Sequence, residues 1–233
     1  MTREEYIGKI KESFAIVEAL STKNNCKVLR LRHTETGRDL VLRSYPQKIN
    51  AYEILVSIRC KNLPEIFDSI ILDDGHIVLE EFISGVTVAQ FMKMDSYHKK
   101  GARTVMAGLC QAMDMLHSRG IVHRDIKPEN VMISDDGRVV LIDFNASRQT
   151  RECGRDTIIM GTVGYVSPEQ LGVSQSDART DIYAAGVLYN VMLTGQHPSV
   201  SIVSGKAGRI VRKSTAINPD ERYQTAYALY SAL

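Results

Sequence analysis

The hydrophobic periodicity of this 233-residue chain changes near Gly85, and that change constrains the fold more than any other feature. Between about residues 14 and 82, short apolar runs alternate with turn signals, as in "KVLRLRH", "LVLRSY" and "SIILDDGHIVLEEF". Runs of this kind predict strands, and the Asp74-Gly75 pair inside the third run predicts a hairpin turn. We therefore expect a small antiparallel sheet in this part of the chain.

Helical spacing occurs once inside the sheet region and dominates after it. The stretch "NAYEILVSIRCKN" has apolar residues at helical intervals and predicts a single helix through Ile54, Leu55 and Ile58. Later, "RTVMAGLCQAMDMLHSRG" predicts a helix that stops at Gly120, with one apolar stripe formed by Val105, Leu109, Ala112, Met113 and Leu116.

The segment "DIYAAGVLYNVMLTG" is too apolar for a surface helix, so we expect a buried central helix that ends at Gly195. Together these patterns predict an α+β chain with a small β lobe at 1–82, a hinge near residues 82 to 85, and a larger helical lobe at 83–233.

Composition excludes several classes of protein. Hydrophobic residues make up 44% and charged residues 24%, which argues against disorder. No apolar run approaches the roughly 18 residues that span a bilayer, and the first residues lack the apolar core of a secretory signal. We expect a cytoplasmic protein with no membrane segment. A net charge of +2 is too weak to indicate nucleic-acid binding, and the sequence predicts no oligomeric state.

The four cysteines, Cys26, Cys60, Cys110 and Cys153, are isolated, with no CxxC pair and no histidine cluster at zinc spacing. This pattern favours buried or free thiols over metal ligands. A basic stretch, "GKAGRIVRKS", would place Lys206, Arg209 and Lys213 on one face of a helix. Such a stripe is either a solvated face or a docking patch for an acidic partner.

Polar residues concentrate where two apolar runs surround an Asp-Asp-Gly-Arg turn. The segments "IVHRDIKPENVMI" and "VVLIDFN" predict two short facing strands, which would bring Asp125, Lys127, Asn130 and Asp143 to one edge. Carboxylates and an amide suit Mg²⁺ and a substrate phosphate, and a separate carboxylate can accept the proton of an attacking hydroxyl.

With these residues the chain resembles the protein kinase family. "HRDIKPEN" resembles the catalytic loop of the serine/threonine branch, and "GTVGYVSPE" resembles the end of the activation segment. "TDIYAAGVL" resembles the buried central helix, and "NPDERYQTA" resembles a late arginine-containing motif. The four motifs occur in family order over residues 14 to 230, which is nearly the whole chain.

The resemblance implies a bilobal kinase fold, transfer of the ATP γ-phosphate to Ser or Thr of a protein substrate, and roles for matching residues. Asp125 would be the catalytic base and Lys127 would stabilise the transferring phosphoryl, while Asn130 and Asp143 would hold Mg²⁺. Glu81 and Ile83, at the hinge, would contact the nucleotide. Structural roles are also implied: a spine of His123, Phe144, Leu55 and Ile66 anchored by Asp181, and a buried ion pair between Glu169 and Arg222.

The first lobe departs from the family pattern at the phosphates. The family covers them with GxGxxG, whereas here Ser21, Lys23 and Cys26 stand where glycines belong. Close approach of the backbone to a phosphate is therefore hindered. Neither a Walker A motif nor a dinucleotide fingerprint occurs elsewhere.

The nucleotide-binding cation also departs from the pattern. Arg43 replaces the phosphate-positioning lysine, and the helix glutamate that should pair with it aligns to Ala51, with Glu53 two residues on and facing elsewhere. Glu80 aligns to the back of the adenine pocket, where a buried carboxylate needs a partner. We hypothesise that Arg43 pairs with Glu80; the alternative is that Glu80 points to solvent.

Asn145 replaces the glycine that follows Asp143 and Phe144 in the family. Asn is the non-glycine residue that best tolerates positive φ, so we expect a permissive substitution. The stretch between the central helix and "NPDERY" is short, which predicts a missing or abbreviated helix.

Regulation is predicted from "RECGRDTIIMGTVGY". A phosphate on Thr157 could bind Arg124 and Arg148 and order the segment, whereas Thr162 is expected to bond with Asp125 and Lys127. The alternative is that Thr157 is a solvated loop residue.

An active kinase is the leading interpretation of the chain. The alternatives are a pseudokinase that serves as a binding module and a small-molecule phosphotransferase. The segment "GTVGYVSPE" argues against the small-molecule phosphotransferase.

Overall fold

The computed structural model describes residues 1–23, 25–94, 101–149, 164–171 and 176–233. Contacts divide the chain into two compact units. The first unit comprises Met1–Cys60 and Pro64–Ile83, and the second comprises Lys61–Leu63 and Ser84–Leu233. The short piece 61–63 belongs to the second unit because Asn62 donates to the Val139 carbonyl (2.7 Å) and accepts from the Leu141 amide (3.0 Å). The division into domains at residues 82 and 83 stays a prediction.

The first unit is built on one antiparallel sheet. Its elements are α1 (Arg3–Ile10), β1 (Phe14–Lys23), β2 (Cys26–His33), β3 (Asp39–Tyr45), α2 (Tyr52–Leu55), β4 (Ile66–Leu72) and β5 (Gly75–Glu81). The strand order is β1-β2-β3-β5-β4, and every neighbouring pair is antiparallel. The predicted hairpin turn at Asp74-Gly75 is confirmed, since Leu72 pairs with Gly75 at the end of β4 and β5.

The helix α1 was not predicted from the sequence. Thr2 caps it and Glu5 completes a capping box, so the first N–H groups are satisfied by side chains. Its buried residue, Ile7, packs into the apolar cluster of the sheet, whose other buried members are Leu29, Leu31, Leu42, Ile77 and Leu79. The helix therefore covers one face of the sheet.

The helix predicted through Ile58 is present but short, because α2 ends at Leu55. The Ser57 hydroxyl and the Arg59 guanidinium donate to the carbonyls of Ile54 and Val56, at 2.8 and 2.9 Å. These local bonds compete with continuation of the helix. Ile58 is nevertheless buried, so the apolar pattern correctly predicted the burial of this residue although the helix ends before it.

The second unit is mostly helical. Its elements are β6 (Gly85–Thr87), α3 (Val88–Phe91), α4 (Gly101–Ser118), β7 (Ile121–Val122), β8 (Val131–Ser134), β9 (Val139–Leu141), β10 (Arg148–Gln149), α5 (Ala178–Thr194), α6 (Gly205–Ser214) and α7 (Ala226–Ala232). In the described part of this unit, 3₁₀ turns occur at Pro128–Asn130, Pro168–Leu171 and Pro219–Glu221. The strands form two small sheets, β6-β8-β9 and β10-β7. The predicted α+β class is thus confirmed.

The two predicted helices are confirmed. All five residues of the predicted stripe on α4 are buried. Helix α5 has a mostly buried sequence and ends at Gly195, whose φ of 75° is the left-handed conformation that closes a helix. Between α5 and the 3₁₀ turn at Pro219–Glu221 the chain contains one helix, α6, which agrees with the predicted abbreviation of this region.

The structure bears on the predictions for the basic stretch and for the cysteines. The basic stretch is helical as α6, where Lys206 donates to the Leu233 carbonyl (2.8 Å) and Lys213 lies over the Tyr223 ring. Two of the three basic residues therefore make contacts within the unit. Cys60 and Cys110 are free thiols, Cys26 is partly buried at the start of β2, and Cys153 lies outside the described residues. No helix in the described ranges is long and apolar enough to cross a membrane. The cytoplasmic location stays a prediction.

Candidate functional site

The loop between β7 and β8 brings three of the predicted site residues together. The Asp125 carboxylate accepts from Lys127 Nζ at 2.7 Å and from Asn130 Nδ2 at 2.9 Å. Asn130 Nδ2 also donates to the Asp125 backbone carbonyl at 2.8 Å. The 3₁₀ turn at Pro128–Asn130 folds Asn130 back toward Asp125, which makes this six-residue span a compact polar group.

A buried carboxylate on α5 holds the beginning of this loop. Asp181 is fully buried and accepts from the backbone N–H groups of His123 and Arg124, both at 2.8 Å, and from His117 Nε2 at 2.9 Å. Burial by itself would raise the pKa of Asp181, but the hydrogen bond and charge of His117 outweigh it and leave the pKa below its ordinary value. Asp181 therefore binds His123, as the anchor role predicts, while the spine that it would anchor stays a prediction; His117 is a partner that the sequence did not reveal.

The backbone of this loop is strained beside Asp125. Arg124 has a φ of 68°, in the left-handed region that few residues other than glycine adopt. A single conformation of this kind costs on the order of 1–2 kcal/mol and persists where surrounding bonds over-determine it. The backbone N–H groups of His123 and Arg124 both donate to the Asp181 carboxylate, and these are two of the bonds that hold the strained conformation.

Asp143 is placed next to Asn130 by the hairpin of β8 and β9. The Ile142 amide donates to the Asn130 carbonyl at 2.9 Å, and His123 Nε2 contacts the Ile142 carbonyl at 3.1 Å. Phe144 is fully buried and makes an edge-to-face contact with His123, with 5.3 Å between ring centroids. The sequence therefore predicted correctly that the two segments meet at one edge.

The expectation for Asn145 needs a correction. Among the described residues, the non-glycine positions with positive φ are Asn25, Arg124 and Asp143, so the left-handed conformation falls on Asp143 and not on Asn145. The backbone N–H of Asn145 donates to Asp143 Oδ1 at 3.4 Å. The substitution is permissive because this position needs no positive φ, not because asparagine tolerates one.

The donor set at this edge fits a hard cation. Asn130 uses its amide nitrogen to bind Asp125, which leaves the oxygen Oδ1 as the atom that can ligate a metal. Asp143 supplies carboxylate oxygens, and Mg²⁺ prefers oxygen ligands shared with substrate phosphates. The described part of the chain contains no group of three or more His, Cys, Asp and Glu side chains that could hold a metal ion.

In the first unit, the hypothesised pair of Arg43 and Glu80 is confirmed. Arg43 Nε donates to Glu80 Oε1 at 2.6 Å, and both side chains are buried. The strands β3 and β5 are neighbours in which Arg43 faces Val78 and Val41 faces Glu80, so the two side chains meet diagonally. The alternative, in which Glu80 points to solvent, is wrong.

Helix α2 contributes no carboxylate to this pair. Ala51 is buried at the start of α2, and Glu53 forms a salt bridge with Lys48 at 2.5 Å. The Glu53 side chain is 53% exposed, which agrees with the prediction that it faces elsewhere. Glu80, on the neighbouring strand of the sheet, therefore supplies a carboxylate to Arg43 that α2 does not.

The hairpin of β1 and β2 lacks the expected glycine loop. The strands pair up to Lys23 and Cys26, which leaves a two-residue connection. Asn25, within it, has a φ of 59°. Ser21 pairs with Val28 in the same ladder.

Glu81 and Ile83 lie at the end of the first unit. The Glu81 amide donates to the Glu65 carbonyl at 2.8 Å, and Ile83 is buried. Their contact with a nucleotide stays a prediction, as do the nucleotide contact of Arg43 and the catalytic and metal-binding roles of Asp125, Lys127, Asn130 and Asp143. Leu55 and Ile66 are buried in the first unit, and their part in a spine between lobes also stays a prediction.

The predicted ion pair of Glu169 and Arg222 is confirmed in the second unit. Arg222 Nη1 and Nη2 bind the two carboxylate oxygens of Glu169 at 2.7 and 2.9 Å, in a bidentate arrangement. Burial raises the pKa of Glu169, but the Arg222 hydrogen bonds outweigh this and keep the pKa below its ordinary value. The pair fixes the 3₁₀ turn at Pro168–Leu171 against the end of the chain.

The regulatory prediction concerns residues that the structure only partly describes. Thr157 and Thr162 lie outside the described residues. Arg124 is buried, and Arg148 pairs with Val122 in the small β10-β7 sheet. Phosphorylation at Thr157 and the role of Arg124 in binding that phosphate stay predictions.

Comparisons with known proteins show the family of the chain. The family model described as "Protein kinase domain" matches residues 12–230. The chain is 32% identical over 177 residues to the serine/threonine-protein kinase PknB of Mycolicibacterium smegmatis, covering 64% of this chain and 28% of that protein. It is 27% identical over 225 residues to the serine/threonine-protein kinase D of Synechocystis, covering 86% of this chain and 44% of that protein. The aligned chain thus spans less than half the length of these relatives.

Proposed function

Because the chain belongs to the protein kinase family, we propose that it transfers the γ-phosphate of ATP to Ser or Thr hydroxyls of a protein substrate, with Mg²⁺. The observation that carries this proposal is the hydrogen-bonded group of Asp125, Lys127 and Asn130, held by Asp181. A binding module would not require a carboxylate, an ammonium and an amide in mutual contact beside Asp143.

The roles follow from the chemistry of each side chain. Asp125 orients the substrate hydroxyl and accepts its proton as the new O–P bond forms. Lys127, bonded to the same carboxylate, presents a positive charge to the transferring phosphoryl group. Asn130 Oδ1 and the Asp143 carboxylate would hold Mg²⁺, which supplies charge neutralisation to the phosphates when bound.

Nucleotide handling in the first unit is expected to be weak. The β1–β2 connection offers no glycine backbone for close approach to phosphates. Arg43 is already engaged by Glu80, so its charge toward a phosphate is partly neutralised. We expect a high KM for ATP together with a preserved transfer step.

The test compares the parent chain with Asp125→Asn in an assay with labelled Mg-ATP and a generic protein substrate. We expect the rate to fall by about 10²–10⁴-fold, because the group that accepts the proton is lost while the amide keeps its shape. Nucleotide binding and thermal unfolding should change little.

The matched control is Asp114→Asn, which removes an exposed carboxylate on α4 and should leave the rate unchanged. Equal rates for the parent and Asp125→Asn would contradict the proposal. A parent that binds nucleotide but transfers no phosphate would instead support the pseudokinase interpretation.

A further inference from the structure

Gln170 is a buried side chain that joins two parts of the second unit. It lies in the 3₁₀ turn at Pro168–Leu171 and is 1% exposed. Its oxygen Oε1 accepts from the Ser167 amide at 3.0 Å and from the Ser167 hydroxyl at 3.1 Å. Its nitrogen Nε2 donates to the Arg124 carbonyl at 3.0 Å.

The two bonds to Ser167 use only the oxygen Oε1 of Gln170 and do not involve its nitrogen Nε2. Ser167 and Gln170 are three residues apart, and the Gln170 side chain accepts from the Ser167 backbone N–H, as the fourth residue of a capping box does. A glutamate serves this purpose as well as a glutamine. The capping bonds therefore do not require an amide at position 170, whereas the bond to Arg124 requires a donor.

The carbonyl that accepts from Gln170 Nε2 belongs to Arg124, the residue directly before Asp125. Asp181 holds the N–H of Arg124, and Gln170 holds its carbonyl, so both peptide groups of this residue are fixed. Arg124 has the strained φ of 68°. The carbonyl of Arg124 belongs to the peptide group that leads into Asp125, and the orientation of that peptide sets the direction of the Asp125 side chain.

We propose that Gln170 is a positioning residue for Asp125, which couples the turn at residues 167–171 to the catalytic loop through the Arg124 carbonyl. This inference rests on the proposed kinase function for its kinetic consequences. Its structural part, that the Nε2 donor restrains the loop, stands independently of activity.

The sharpest variant is Gln170→Glu, which preserves size and capping but replaces the donor with a carboxylate. At pH 8 we expect kcat for substrate phosphorylation to fall about tenfold, while the KM for ATP stays within about twofold of the parent. Burial raises the pKa of an introduced carboxyl group. When protonated it can donate to the Arg124 carbonyl again, so the ratio of variant to parent kcat should recover as the pH falls from 8 to 6.

Two further variants separate positioning from capping. Ser167→Ala removes one capping bond and leaves the link to Arg124, so its kcat should remain near that of the parent. Gln170→Met is uncharged and removes both functions; its kcat should fall as in Gln170→Glu but without recovery at low pH. Gln170→Met also serves if the buried charge of Gln170→Glu prevents folding.

Hydrogen exchange provides a readout that needs no activity. Amides in residues 121–130 should exchange faster in Gln170→Met than in the parent or in Ser167→Ala. Faster exchange in Gln170→Met, together with a parent that transfers no phosphate, would support the restraint and reject the proposed function. Unchanged exchange in the variants, or an unchanged kcat in Gln170→Met of an active parent, would overturn the inference.

Discussion

Each of the two units contains a buried arginine–glutamate pair, and the two pairs are built differently. In the first unit, Arg43 and Glu80 lie on adjacent strands of one sheet and meet through the register of β3 and β5. In the second unit, Glu169 and Arg222 are 53 residues apart and come from two separate 3₁₀ turn regions.

The second-unit pair is part of a network that uses every donor of the arginine. Besides its two bonds to Glu169, Arg222 donates to the carbonyls of Ala216 (2.8 Å), Arg179 (2.9 Å) and Ile217 (3.2 Å). The five N–H groups of a guanidinium thus have five acceptors. Changing either partner would leave several buried groups without bonds.

The first-unit pair is set by strand register. Arg43 on β3 and Glu80 on β5 meet diagonally, and Glu53 of α2 binds Lys48 instead. The comparison predicts that a pair set by the register of two strands tolerates joint replacement by apolar residues better than a pair in which the arginine also binds three backbone carbonyls.

The largest effect that tests this comparison is expected for Glu169→Ala. It should lower the free energy of unfolding by about 3–5 kcal/mol, because Arg222 would remain buried without its counter-charge. Chemical denaturation measures this change. The control, Asp220→Ala, removes the 80%-exposed partner of Arg179 and should cost less than about 1 kcal/mol. Equal losses in the two variants would contradict the network interpretation.

A somewhat smaller effect is expected for the first unit. Arg43→Ala should cost about 3 kcal/mol, because the buried Glu80 loses a charged partner. The double variant Arg43→Met with Glu80→Leu should recover most of this stability, because neither buried charge is then left without its counter-charge, while ATP affinity should fall further.

The control for the first unit is Arg32→Ala on β2, whose side chain is 49% exposed and pairs with Asp39. It should cost less than about 1 kcal/mol. If the double variant is as unstable as Arg43→Ala, the pair belongs to a larger network and the contrast between the units is lost.

Acid sensitivity provides a third measurement. The folded-state pKa of Glu169 lies below its ordinary value of 4.5, so its charged form stabilises the fold above that value. This contribution is lost as the pH falls below 4.5 and through the lower folded pKa. Unfolding free energies measured from pH 6 to 3 should therefore decline less steeply in Glu169→Ala than in the parent; parallel curves would show that the pair does not titrate with folding.

The smallest effect is expected for Asn145→Gly, which restores the residue expected from the family resemblance. Because Asn145 does not occupy a positive φ, the change should alter stability by less than about 1 kcal/mol and kcat by less than about threefold. Kinetic assays beside the parent measure it. A large gain in kcat would show that asparagine restricts a movement of this segment that catalysis needs.

Two side-chain caps that the sequence analysis did not predict have local signals in the sequence. The capping box at Thr2 and Glu5 marks α1, and "SPEQ" carries the same Ser-x-x-Gln spacing at Ser167 and Gln170. Both are local signals. Neither reveals which distant surface the segment then meets.

The sequence by itself determined the α+β class, the strands and their Asp-Gly turn, the buried faces of α4 and α5, and the polar group around Asp125. These features follow from periodicity and from residues that one hairpin brings together, because local spacing fixes which side chains share a face. The pair of Arg43 and Glu80 followed in part, since a buried carboxylate requires a partner.

Only the tertiary structure decided the remaining features. The donation from Gln170 to Arg124 spans 46 residues, and the contact of His117 with Asp181 spans 64. Helix α2 stops at Leu55 because side chains compete for its carbonyls, and the left-handed backbone falls on Asp143 rather than Asn145. Contacts between distant segments depend on how whole elements pack, and the strain at Arg124 and Asp143 exists only because surrounding bonds hold it.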